Sequence, residues 1–323
     1  MNQPPQPQPP QQAALPGCWW HPNRQTGLSC SRCGRPACPD CLREAAVGAQ
    51  CIDCVQTGQK QQRAQRKQYD NAGLTSRTIV GARPAERAVV TPVLIALNVL
   101  VYLVTAVQAR SPMNNQLSQL FTDGVLFSPS IAFDGEWWRL FVSGFLHYGL
   151  IHLAVNMFSL WMLGKDLELL LGKVRFAVVY LLSLFGGSIS VFVFDDPGRP
   201  TAGASGAIYG LLGAILIVIL RLKLNPTQVI GVIALNLIIS VSIPNISLLG
   251  HLGGFVIGAV AMAALVFAPL KKRAVWQAGV LVLVTVALLG MYTLRDSRLK
   301  QETCGMSGNS YVCVDQSSGG QPT

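Results

Sequence analysis

The chain has 323 residues, half of them hydrophobic and only 12% charged, with a mean hydropathy of +0.40 and a net charge of +10. Ordinary soluble domains carry about 25% charged residues, yet residues 225–270 contain no Lys, Arg, Asp or Glu. These values exclude an extracellular disulfide scaffold, a wholly disordered chain and a pair of soluble domains, and place most of the protein in lipid.

Residues 1–16 are rich in Pro and Gln and lack the apolar core of a secretory signal, so they read as a disordered tail. Residues 17–55 hold seven of the nine cysteines. Cys18 and His21, Cys30 and Cys33, Cys38 and Cys41, and Cys51 and Cys54 form four knuckles, each with two intervening residues. Zinc takes four N or S ligands in a tetrahedron, and a tight turn of this spacing lets two side chains chelate one ion. Eight ligands predict two Zn ions. The alternatives are a redox Cys pair or one zinc site with spare cysteines. For the pairing, a cross-brace joining knuckle one with three and two with four is favoured over a sequential arrangement. No knuckle leaves an open ligand position, so these zincs would be structural and supply the folding energy of a module too small for a large core. Binding a cytoplasmic protein partner, or regulation, is its expected role. Residues 56–88 read as a basic linker, helical in part.

Seven apolar runs follow, at 89–108, 140–163, 176–194, 204–220, 227–242, 248–268 and 274–294. Each is about long enough to cross a bilayer, which takes ~20 helical residues. With seven spans, 19 of the 25 Lys and Arg fall on the side of the N-terminus, and Lys271, Lys272 and Arg273 oppose Asp195 and Asp196. Cytoplasmic loops are enriched in basic residues, so the N-terminus is predicted cytoplasmic and the C-terminus extracytoplasmic, in a multi-pass protein of the cell membrane. The positive charge then reflects topology and contact with anionic lipid, and no nucleic-acid partner is expected.

Polar residues inside spans are costly and default to functional candidates. Ser205 opens the fourth run in the sequence Gly203-Ala204-Ser205-Gly206-Ala207-Ile208-Tyr209-Gly210. Small residues let a turn hold a serine at a helix start, where free N–H groups can receive a developing oxyanion. The alternative is that these residues only permit close helix packing, as Gly206 and Gly210 four apart would. His251 lies near the start of the sixth run, at the depth of Ser205, and Gly254 and Gly258 follow it on a nearby face. A serine and a histidine at one depth make a nucleophile and a base. His152 and Asn156 are four apart on the second run and can both donate hydrogen bonds toward one point, as an oxyanion hole requires. No carboxylate is placed to complete a triad, so the imidazole is expected to be oriented by stacking on Tyr209. The spacing of His147 and His152 does not fit a metalloprotease, and no metal is expected for catalysis.

Taken together, the Ser205 motif, His251-Leu252-Gly253-Gly254-Phe255-Val256-Ile257-Gly258, His152 with Asn156, Trp138-Arg139, and Leu163-Gly164 with Glu168 and Gly172 resemble the rhomboid intramembrane serine proteases. The resemblance covers roughly residues 89–294. It implies an all-α polytopic membrane protein: a rhomboid-like six-helix bundle with one added C-terminal transmembrane helix. It implies Ser205 as nucleophile, His251 as base, and His152 and Asn156 with the Ser205 N–H as oxyanion hole. His147 would support the site, Trp138 and Arg139 would end a long first loop partly in the outer leaflet, and Glu168 would tie loop and helix ends together. The small N-terminal zinc-binding module resembles the zinc-ribbon-like extension of some actinobacterial members, and B-box or RING-like modules. Transmembrane protein substrates and the lipid bilayer are the partners implied. A non-catalytic membrane adaptor is the competing reading, but an adaptor has no need of Ser205, His251, His152 and Asn156 together. In the extracytoplasmic tail, residues 295–323, Cys304 and Cys313 could close a small disulfide loop or stay free thiols.

Overall fold

The computed structural model describes residues 15–45, 48–71, 78–82, 85–242, 246–307 and 310–315, with the backbone alone for 65–71 and 302–315. The chain divides into two units, Met1–Thr75 and Ser76–Thr323.

In the first unit, strands β1 (Leu42–Glu44) and β2 (Ala49–Cys51) pair antiparallel, with Leu42 opposite Cys51. Helix α1 (Ile52–Asn71) follows directly and carries Cys54 in its first turn, so the linker segment is helical from its beginning. The buried side chains here are mainly sulfur: Cys18, Cys38 and Cys41 pack with Ala37 against Trp20 and Leu42. Such an interior removes little apolar surface from water, so the cysteine clusters must hold the fold.

The second unit is helical. Helix α2 (Val90–Gln108) leads into a long loop bearing three short helices, α3 (Gln119–Gly124), α4 (Ser128–Phe133) and α5 (Arg139–Val142). There follow α6 (Gly149–Leu171), α7 (Lys173–Phe194), α8 (Ser205–Arg221), α9 (Thr227–Ser242), α10 (Leu248–Val266) and α11 (Arg273–Leu299). Strands β3 (Glu302–Ser307) and β4 (Ser310–Asp315) close the chain as a hairpin.

Helices α2, α7, α10 and α11 are each long and apolar enough to cross a membrane. At 17 and 16 residues, α8 and α9 are shorter. At ~1.5 Å per residue they fall short of a ~30 Å hydrocarbon core. The run 140–163 is not one straight helix. Its first part, Arg139–Phe145, meets α6 at 93°. The break has a local cause. Gly149 takes φ +73, and the side chain of Asn115, buried in the long loop, clamps the corner by accepting from the Gly149 N–H at 2.8 Å and donating to the His147 carbonyl at 2.8 Å. An uninterrupted apolar pattern cannot report such a clamp, because its partner lies over 30 residues away.

The centre of the unit is the packing of α7, α8 and α10. A Cβ at Gly254 would overlap the Gly206 carbonyl, one at Gly258 the Gly210 carbonyl, and one at Gly210 the Ser183 side chain. Two stripes of small residues thus face each other and let the α8 and α10 backbones touch. The long loop is tied to the segment before α8 by paired backbone bonds between Leu126 and Thr201, at 3.0 and 2.9 Å.

Glu168, fully buried on α6, caps the start of α2. Its carboxylate accepts from the Val89, Val90 and Thr91 N–H groups and the Thr91 hydroxyl at 2.7–2.9 Å. These are N–H groups with no partner inside the helix, and hydrogen bonds to a charged acceptor are the stronger kind. Replacing Glu168 by Gln removes the charge and one acceptor oxygen, at a cost of roughly 2–4 kcal/mol. The exposed neighbour Asp166→Asn should change stability by less than about 0.5 kcal/mol. Unfolding curves of both variants in mixed detergent micelles check the difference.

Candidate functional site

Ser205 is the first residue of α8, and Gly203 before it has φ +136, a conformation open to glycine and strained for other residues. His251 lies in the first turn of α10 and is 6% exposed. The glycine contacts between α8 and α10 bring the two together: His251 Nε2 is 2.8 Å from Ser205 Oγ. The Tyr209 ring stacks on the imidazole with centroids 3.9 Å apart and planes 10° from parallel.

The other imidazole nitrogen has a partner that the sequence did not single out. His251 Nδ1 lies 2.7 Å from Ser240 Oγ on α9, and Ser240 Oγ is also 2.9 Å from the Tyr209 hydroxyl. Ser240 donates its own hydrogen to the Asn236 carbonyl at 2.8 Å. A hydroxyl has one hydrogen and two lone pairs. With its hydrogen on that carbonyl, Ser240 Oγ has lone pairs for both Tyr209 O–H and His251 Nδ1–H. This arrangement is compatible with an imidazole proton on Nδ1 and a lone pair on Nε2 facing the Ser205 hydroxyl. The only sequence signal for Ser240 was a polar residue in an apolar run, which Asn236 and Ser242 share.

On α6, His152 Nδ1 accepts the Tyr148 N–H at 3.2 Å. This assigns its hydrogen to Nε2, which points at the space beside Gly203: a Cβ there would sit 3.0 Å from His152 Nε2 and 3.7 Å from Ser205 Oγ. Glycine therefore keeps open a volume bordered by both groups. Asn156, 5% exposed, gives one amide hydrogen to the His152 carbonyl at 2.8 Å and retains the second. His147 is fully buried and edge-on to His152 with centroids 5.1 Å apart. Trp138 is exposed, whereas Arg139 is buried, pairs with Glu136 at 2.6 Å and donates to the Thr122 and Val125 carbonyls. Arg139 and Glu168 therefore fasten loops and helix ends, away from Ser205.

In the first unit two groups of four ligand atoms come together: Cys18, His21, Cys38 and Cys41, and Cys30, Cys33, Cys51 and Cys54. This is the cross-brace pairing, knuckle one with three and two with four. Within each group the ligand atoms lie within 4.8 Å of one another. Cys33 and Cys51 sulfurs are 3.8 Å apart, and His21 Nδ1 is 3.4, 3.5 and 3.9 Å from the Cys41, Cys38 and Cys18 sulfurs. A tetrahedral ion with ~2.3 Å metal–sulfur bonds spaces its sulfurs about 3.8 Å apart. The electrostatics fit as well. For Cys18 and Cys30, burial opposes ionisation, but backbone N–H groups aimed at each sulfur outweigh it and lower the thiol to about 6. Cys41 is pushed up to about 12 by burial and by the thiols of Cys38 and Cys18, and Cys54 to about 12 by Cys51 and by burial. One thiolate forms readily in each cluster and resists the next, an imbalance a bound dication removes.

In the C-terminal hairpin, Cys304 is the register partner of Cys313. The side chains there, and with them the predicted disulfide, lie outside the described residues.

A serine and an imidazole in contact at helix starts, inside a bundle of apolar helices, define a class of membrane protein with a buried serine–histidine pair. Comparison with known proteins narrows the class. A family model for the Rhomboid domain matches residues 134–269, a span that includes Ser205, His251, His152, Asn156, Tyr209 and Ser240. Rhomboid protease GluP of Bacillus subtilis (strain 168) is 39% identical over 180 residues, covering 54% of this chain and 34% of that protein. Rhomboid protease AarA of Providencia stuartii is 31% identical over 215 residues, covering 57% of this chain and 74% of its own length. RHOMBOID-like protein 4 of Arabidopsis thaliana is 29% identical over 210 residues, covering 57% and 53%. The chain belongs to the rhomboid family and is a multi-pass membrane protein. It spans about a third to a half of the length of the first curated relatives it matches.

The pairing of the clusters can be read by metal stoichiometry. The double variant Cys18→Ser/Cys38→Ser alters one cluster of the cross-brace, so purified protein should fall from two bound divalent ions to one, by elemental analysis. Loss of both ions would indicate sequential pairing instead.

Proposed function

We propose that this protein is an intramembrane serine endopeptidase that cleaves transmembrane segments of other membrane proteins. The observation that carries the reading is the 2.8 Å contact between His251 Nε2 and Ser205 Oγ, beside a glycine-lined space that His152 Nε2 borders. The protease names of the GluP and AarA relatives support it.

In this reading Ser205 Oγ attacks the scissile carbonyl while its proton passes to His251 Nε2. Negative charge collects on the former carbonyl oxygen. The His152 Nε2–H, the second Asn156 amide hydrogen and the Ser205 N–H, which has no acceptor one turn back, are the donors suited to hold it, each worth a few kcal/mol in the transition state. The intermediate then collapses. The peptide C–N bond breaks, His251 returns its proton to the leaving amine, and an acyl-enzyme stays on Ser205. Water, deprotonated by His251, releases the new carboxylate. The distribution of basic residues supports an N-terminus in the cytoplasm, with Ser205 toward the outer face. In the first unit the ligand chemistry of seven cysteines and one histidine suits zinc, held for structure and not for the reaction.

Full-length protein reconstituted in liposomes with a single-span reporter substrate tests the assignment. Ser205→Ala and His251→Ala should each lower cleavage by at least about a thousandfold, with unchanged folding by circular dichroism. Cleavage retained in either variant would refute the pair.

A further inference from the structure

The mechanism leaves one buried contact unused. A base that must accept a proton at Nε2 has to hold its hydrogen at Nδ1, and a lone imidazole has no reason to prefer that form. In chains where a carboxylate orients the imidazole, losing the correct tautomer is costly. Among the described residues no carboxylate lies at His251. Ser240 Oγ does, at 2.7 Å.

We propose that Ser240 is the positioning residue of the catalytic pair: it fixes the Nδ1–H tautomer of His251 and, through Tyr209, the plane of the ring. Only the kinetic consequence of this role rests on the protease reading. Three observations carry it. Ser240 is the one buried residue described on α9, a helix otherwise turned outward, so its burial at this point is specific. The Asn236 carbonyl, 2.8 Å from Ser240 Oγ, can take its one hydrogen and so leave the oxygen an acceptor toward His251. Finally, it is hydrogen-bonded to the Tyr209 hydroxyl at 2.9 Å while the Tyr209 ring stacks on the imidazole at 3.9 Å, so one oxygen touches both the edge partner and the face partner of His251. The chain Asn236 carbonyl, Ser240, His251, Ser205 joins α9 to α10 and α8 through a single file of hydrogen bonds. Serine serves here where a carboxylate would bring an uncompensated charge into the apolar bundle.

The test uses full-length protein in bilayers with histidine labelled by 15N. The His251 signals are assigned by their loss in His251→Phe. Wild type should show a protonated Nδ1 and a bare Nε2. Ser240→Ala should move the proton toward Nε2 or mix the two forms, and lower kcat by about 10- to 100-fold with KM within about twofold. Ser240→Thr, whose hydroxyl can make the same bond to the carbonyl one turn back, should restore both. Ser242→Ala, exposed on the same helix, should change neither. A wild-type tautomer in Ser240→Ala, with or without a loss of rate, would overturn the proposal, as would failure of Thr to restore it. Were wild type itself unable to cleave, the protease reading would fall, while the tautomer shift would still decide the role of Ser240.

Discussion

Backbone contact between α8 and α10 is the constraint on which the site depends. Two helices separated by ordinary side chains have axes 8–10 Å apart, and short side chains at their starts are then hard to bring into hydrogen-bond range. Gly254 against the Gly206 carbonyl and Gly258 against the Gly210 carbonyl remove that spacing. The serine hydroxyl and the imidazole then meet at 2.8 Å without strained reach. In a bilayer apolar side chains gain little from leaving lipid, so such contact packing, not hydrophobic burial, holds the helices together. The same close approach fixes depth: Ser205 and His251 each lie in the opening turn of their helix.

The rest of the unit serves to hold that pair's surroundings. Glu168 anchors the start of α2 to α6, Asn115 clamps the corner ahead of α6, and Leu126 pairs with Thr201 just before the serine turn. Each fastens irregular backbone with directed hydrogen bonds, as apolar surroundings require, since an unpaired peptide group there is costly. His152 inherits its orientation from this framework through the Tyr148 N–H. The first unit solves a different problem. With few apolar side chains to bury, it gathers seven cysteines and one histidine into two interleaved groups of four, each able to hold a metal ion.

Much of this was legible in the sequence because charge-free runs and rare residues carry position. The apolar runs mark the helices, and residues near helix starts on the same side share a depth, so a common depth for Ser205 and His251 could be inferred from their places in the fourth and sixth runs. The knuckle spacing foretold clusters of four, with the cross-brace favoured on loop length. The corner at 146–148 was not legible: apolarity continues through it, and its causes are one glycine and a distant asparagine. Ser240 was not legible either. It is one of several polar residues on α9, and only the rotation of that helix, set in three dimensions, selects it. Stacking by Tyr209 was inferred, but its hydroxyl contact to Ser240 adds an edge partner for the imidazole that no carboxylate search could find.

The central claim is that Ser205 is a nucleophile made reactive by His251. A fluorophosphonate probe reports this directly, since it forms a bond to an activated serine and spares ordinary hydroxyls. Protein in bilayers, treated with the probe and mapped by peptide mass spectrometry, should carry one adduct, on Ser205, and His251→Ala should abolish it. Absence of an adduct from the wild-type protein, or equal labelling of Ser205 without the imidazole, would contradict the account.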